Sequence, residues 1–184
     1  MLAAPVVLAA GSTLWQKAVA EPTPECGDDD EPTPFETAGP FYKPRSPMRT
    51  SLIESGIDGT RLLLTGRVFG HDCRPLSNAL VDFWHADSHG EYDNEGFHLR
   101  GHQFTDAKGG YRLETIVPGM YPGRTRHIHV RVQPANGRVL TTQLYFPGEP
   151  RNKGDGLFDP ALLVEMTQAE GLRRAGFHFL LDQG

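Results

Sequence analysis

"RHIHVRVQPANGRVLTTQLYF", residues 126–146, carries the clearest pattern in the chain. Ile128, Val130 and Val132 alternate with His127, His129 and Arg131. Side chains two apart on an extended strand point to the same side, so the aliphatic set shares one face and the imidazoles the other. "PANG" (134–137) has the Pro, Asn and Gly of a hairpin-type loop, and "VLTTQLYF" (139–146) reads as the return strand.

Working outward, the same texture recurs. "RLLLTGRVFG" (61–70), "ALVDFWHA" (79–86), "YRLETI" (111–116) and "GFHFLLD" (176–182) are short apolar runs, with turn signals such as "HDCRPLSNA" and "DAKGG" between them. In "DPALLVEM" (159–166) Asp159 stands as an N-cap and Pro160 at the first helical position, which predicts one short helix. The 21 glycines and 15 prolines fit a turn-rich chain. The expected fold is all-β: an antiparallel β-sandwich of six or so strands, with an extended N-terminal arm and a short C-terminal helix.

The chain of 184 residues suffices for one domain with a real core. A net charge of −5 argues against a nucleic-acid partner. Residues 1–20 contain a short apolar stretch ending in Ala18-Val19-Ala20, which has the form of an export signal and is too short to span a membrane. Export would place the mature start near Glu21, in an extracellular or periplasmic setting. If the segment is not a signal, it is an arm on a cytoplasmic protein. Residues 21–50 are polar and proline-rich and read as an extended arm, leaving 51–184 as the folded domain. The two cysteines, Cys26 and Cys73, are too few for a zinc ribbon; in an exported protein one disulfide tying arm to body is expected, the alternative being two unpaired thiols.

Eight histidines are present. His85/His89 and His98/His102 have helical spacing, but the glycines around them read as loop, which weakens both as metal sites. His127 and His129 are better placed, since H-x-H on a strand sets two nitrogens on one face. The pattern alone fits a solvent-facing polar strand equally well. Arg124, Arg126 and Arg131 surround the pair, and such a cluster calls for an anion. Tyr121, and Tyr92 in "HGEYD", can supply phenolates, hard donors suited to ferric iron.

At these residues the sequence closely resembles the intradiol ring-cleavage dioxygenases, the family of protocatechuate 3,4-dioxygenase and catechol 1,2-dioxygenase. The likeness runs from about Pro34 to Pro147 and includes "TAGPFYKP", "WHADSHGEYD", "PGMYPGRTRHIH" and "TTQLYF". The resemblance implies one non-haem Fe(III) per chain, held by Tyr92, Tyr121, His127 and His129. By family analogy Tyr121 and His127 are the axial pair, and Tyr121 leaves when a catechol binds. Arg124 matches the arginine over the substrate ring, and Gln143 matches a glutamine of the same pocket. Asp82 and Trp84 read as packing or supporting residues. The implied reaction opens a catecholic ring between its two hydroxyls and inserts both atoms of O2, giving a cis,cis-muconate-type diacid. The long helical segment of the catechol 1,2-dioxygenases has no counterpart here, so the sequence is most similar to the small, exported, stand-alone members. The ring substituent and the oligomeric state stay open, a homo-oligomer being compatible with the sequence. Two other readings are a non-catalytic binding module, since β-sandwiches often serve that way, and a zinc or Fe(II) enzyme using H-x-H. Neither accounts for both tyrosines.

Overall fold

The computed structural model describes residues 31–169 and 172–182. The export reading of residues 1–20 and the Cys26 half of the disulfide reading lie outside the described residues. Cys73 is disulfide-bonded.

Nine strands among the described residues form two facing sheets. They are β1 (Arg61–Phe69), β2 (Leu80–Trp84), β3 (Arg100–Phe104), β4 (Gly110–Ile116), β5 (His127–Gln133), β6 (Leu140–Tyr145), β7 (Glu165–Ala169), β8 (Leu172–Gly176) and β9 (Phe179–Leu180). One sheet runs β4-β1-β8-β7 with β9 paired to β1; the other runs β3-β2-β5-β6. The inner faces supply one core. Leu62, Leu64 and Val68 come from β1, Val81 and Phe83 from β2, Leu113 from β4, and Ile128, Val130 and Val132 from β5, each 1% exposed or less.

Three expectations are corrected. The helix over 159–166 is a single 3₁₀ turn, Pro160–Leu162. Asp159 caps it, accepting from the Ala161 amide at 2.8 Å. Beyond it, Leu163 bridges to Tyr145 and the Val164 amide donates to the Tyr145 carbonyl at 2.9 Å. Strand pairing there overrides helix propensity. The sandwich is not purely antiparallel, because β1 pairs with β8 and β9 in parallel. His102, assigned to loop, lies on β3, which together with β7 and β8 makes up the strands beyond the expected six.

The outer face of the β3-β2-β5-β6 sheet carries the site. Residues 33–50 lie across this sheet and its edges. The Glu36 amide donates to the Thr141 carbonyl, Thr142 Oγ1 to the Pro34 carbonyl and Ser46 Oγ to Asp82, all within 2.8 Å. Tyr42 meets Trp84 edge-on at 4.9 Å, and the Arg131 guanidinium covers the Tyr42 ring. Further along, the Arg49 amide donates to the His102 carbonyl and the His102 amide to the Pro47 carbonyl, bonds that cover the β3 edge. This layer explains why β2 is buried along its whole length after Leu80 and why His127 and His129 are only 3% and 1% exposed. The polar strand face is dry.

Candidate metal centre

Strand register builds one row of the site. Trp84 stands opposite both Arg100 and His129, and His129 stands opposite Gln143, so Arg100, Trp84, His129 and Gln143 form one rung across four strands. His127 starts β5 one step up, opposite Tyr145. The two tyrosines of interest come from loops, Tyr92 between β2 and β3 and Tyr121 between β4 and β5.

Each tyrosine follows a glycine by two residues, and the two glycines explain the loop geometry. The Gly119 amide donates to the Asp87 carbonyl at 2.6 Å. A Cβ at Gly119 would stand 2.3 Å from the Gly90 nitrogen, and one at Gly90 would stand 2.4 Å from the Met120 carbonyl oxygen. Gly90 also has φ +90°, a left-handed conformation that favours glycine. The loops touch backbone to backbone at these points, and this contact brings the phenol rings to 5.9 Å, edge to face.

The four side chains converge. His127 Nε2 lies 3.2 Å from His129 Nε2 and 3.3 Å from Tyr92 Oη. His127 Nδ1 lies 2.7 Å from the Thr125 carbonyl, to which it can only donate, leaving Nε2 as a lone pair. His129 Nδ1 has no hydrogen-bond partner among the described residues. Burial, then the Arg124 charge, lowers the His127 pKa to about 4. Burial, then His127 and Arg124, holds His129 well below the usual imidazole value. Both rings are therefore neutral donors at physiological pH. Burial, then the proximity of Tyr121, pushes the Tyr92 phenol up, so a cation bound there must displace that proton. A strongly Lewis-acidic, hard cation does this, and two imidazoles with two phenols are a donor set that ferric iron takes. The described residues contain no group of three or more His, Cys, Asp or Glu that could hold a metal. The residues present fit a tyrosinate–imidazole site rather than a carboxylate one.

Beside the donors, Arg124 is held on several sides. Its Nε bonds both oxygens of Asp155, at 2.8 and 3.1 Å. Nη2 donates to Gln143 Oε1 at 2.6 Å and to Tyr145 Oη at 3.3 Å, and Nη1 reaches Tyr121 Oη at 3.4 Å. Burial tends to raise the Asp155 carboxyl, but the Thr125 and Leu157 amides and Arg124 outweigh it and leave it below the usual range. Gln143 has both ends engaged, since its Nε2 donates to the Thr37 carbonyl at 3.0 Å. The structure thus gathers Tyr92, Tyr121, His127, His129, Arg124 and Gln143 in one place. His85 stands apart, its ring bonded to Thr115 and to the Ala86 carbonyl, and His89 and His98 pair with Asp58 and Glu54.

Asp155, Tyr145, Phe41 and Arg100 escaped the sequence reading. Phe41 stacks on Tyr92 at 4.3 Å and 11°. A "GPFY" arm motif was the only signal for it, and Asp155 in "KGDG" has none.

A family model, Dioxygenase_C, described as "Dioxygenase", matches residues 37–171. The dioxygenase domain of a dioxygenase carbohydrate-binding protein fusion from Streptomyces sp. SirexAA-E superposes with a TM-score of 0.82. It is 56% identical over 84% of this chain and 100% of that one. Catechol 1,2-dioxygenase 2 of Acinetobacter lwoffii is 35% identical over 75% of this chain. The protocatechuate 3,4-dioxygenase beta chain of Burkholderia cepacia is 36% identical over 54%. The chain spans 60% and 50% of the lengths of these two curated relatives. The matched span runs from the arm beside Phe41 through both tyrosine loops, β5 and Asp155, and on that ground the chain belongs to the intradiol ring-cleavage dioxygenase family.

Proposed function

We propose that this chain is a non-haem Fe(III) dioxygenase, with one iron per chain, that opens catecholic rings between their hydroxyls. Both atoms of O2 enter the product, a cis,cis-muconate-type diacid. The observation that carries the reading is the convergence on His127 Nε2 of His129 Nε2 at 3.2 Å and Tyr92 Oη at 3.3 Å, with Tyr121 and Arg124 alongside. Family membership and the named activities of its relatives support it.

Ferric iron, when bound by Tyr92, Tyr121, His127 and His129, supplies a Lewis acid that makes a catecholate reactive toward O2. The protein supplies the rest. His127 and His129 are locked by sheet pairing and stay in place. Tyr121 sits on a turn and is partly exposed, so it is the donor free to swing; having given up its own proton to a bound metal, its Oη would take one back from an incoming hydroxyl. Arg124, fixed by Asp155 and Gln143, holds positive charge where the ring gains electron density, and this preorganised charge lowers the barrier. The residues 33–50 layer keeps bulk water from the buried imidazoles.

Residues 1–20 carry the further proposal that the protein is exported; the disulfide at Cys73 supports an oxidising destination.

The test is to load purified protein with iron and record its visible spectrum, then follow O2 uptake and product spectra with catechol, hydroxyquinol and protocatechuate. A tyrosinate-to-iron band and muconate-type products are expected. A colourless loaded protein, or yellow extradiol products, overturns the reading.

A further inference from the structure

Arg100 stands on β3 at one end of the rung that contains His129, beside the donor set but outside it. It is 1% exposed. Its Nη1 donates to the Phe41 carbonyl at 2.6 Å, and Nη2 and Nε donate to the Asp93 carbonyl at 2.9 and 3.1 Å. None of the ion pairs among the described residues includes it. Its guanidinium carbon lies 5.9 Å from the centre of the Tyr92 ring.

All its hydrogen bonds go to neutral carbonyls, the Asp93 and Asp82 carboxylates acting on it by charge alone; this is an expensive way to bury a guanidinium, and an apolar side chain would serve packing better. The carbonyls it holds are specific, however. Phe41 belongs to the N-terminal layer and stacks on Tyr92. Asp93 is the residue after Tyr92. Both segments that set the Tyr92 ring are therefore tied to a single fork, and that fork is anchored in the sheet two strands from His129.

We propose that Arg100 is a positioning residue of the metal centre, which fixes the approach of the Tyr92 oxygen by clamping the Phe41 and Asp93 carbonyls to the sheet. The inference rests on the ferric reading above. Arginine suits the task because its planar fork reaches two acceptors at once, whereas a lysine ammonium offers a single point.

The experiment compares iron-loaded wild type with Arg100→Lys and Arg100→Met. It reads the tyrosinate-to-iron band, the rate of iron loss to a chelator, and thermal unfolding. Both variants are expected to shift or weaken the band and to lower iron affinity roughly 10–100-fold, as loss of a group that orients a ligand does. A merely structural residue would lower the unfolding temperature and leave the band alone. A wild-type band and chelator rate retained in both folded variants overturns the inference while leaving the ferric reading intact. Failure of both variants to fold assigns Arg100 to folding alone and also overturns it. A wild type that binds iron without any band removes the ferric reading, and this inference with it.

Discussion

The indole of Trp84 lies flat against the imidazole of His129, ring centres 4.9 Å apart and planes 1° from parallel. The register that sets Trp84 opposite His129 puts ring on ring, so the sheet itself orients a donor. Trp84→Ala removes a side chain that is 2% exposed and is expected to cost about 3–5 kcal/mol in a urea titration. It should also lower iron per chain in the folded protein. Trp84→Phe keeps a flat partner and should retain most of the iron. Equal iron in Trp84→Ala and wild type would show that His129 needs no stacking surface.

Gly90 and Gly119 hold the two tyrosine loops in backbone contact. Gly119→Ala forces a methyl against the Gly90 backbone and should spread Tyr92 from Tyr121. The expected cost is about 1–3 kcal/mol of strain, together with loss of the visible band. Gly176→Ala is the control, because its added carbon meets only Glu165 Cβ at 4.0 Å. Unchanged colour in Gly119→Ala would remove the spacing argument.

What could be read beforehand follows from where the physics is local. β2, β4 and β5 announce themselves by alternation, β1 as a short apolar run and β6 as the return strand of a hairpin, since each has a face in the core. β3 does not. Its sequence, "RGHQF", has no β-branched residue, and Gly101 is there because a Cβ would come within 2.8 Å of Arg49 and Leu52 in the segment laid over it. That reason lies fifty residues away and leaves no local trace. The helix expected after Asp159 fails similarly, because the partner that draws Leu163 and Val164 into extended form is Tyr145. At the site, the histidines and tyrosines sit in motifs whose spacing is meaningful along the chain. Phe41, Arg100 and Asp155 act across long sequence separations, so neither period nor spacing points to them. The dryness of the H-x-H face was equally illegible, because it depends on residues 33–50 folding over it.

Removing a donor and removing the neighbouring charge should separate cleanly. Tyr92→Phe and His129→Ala are each expected to abolish both the visible band and ring cleavage. Arg124→Ala should keep the band and lower kcat/KM by roughly 10²–10³-fold, the scale for loss of a preorganised charge. Asp155→Asn should move in the same direction, since Arg124 Nε then faces no carboxylate. Full colour and turnover in Tyr92→Phe would refute its place among the donors. Normal turnover in Arg124→Ala would remove the charge-stabilisation role.

Acid should loosen the layer over the sheet at a defined point. Glu54 pairs with Arg49 and His98, and Arg49 also donates to the Phe97 and Arg100 carbonyls. Burial tends to raise the Glu54 carboxyl, but the hydrogen bond and charge of Arg49, then those of His98, outweigh it and leave the group below its ordinary 4.5. A carboxyl depressed in the folded state binds protons more readily when unfolded. Its contribution is therefore complete above the ordinary value and is lost as pH falls through the depressed one. Glu54→Gln should unfold at a lower temperature than wild type at pH 7. The difference should shrink as the pH falls below the ordinary carboxyl value and vanish once it has passed through the depressed one, where wild-type Glu54 is itself protonated. Thermal melts of both proteins across that range decide it. A gap that persists unchanged at the acid end would mean that Glu54 acts through packing rather than through its charge.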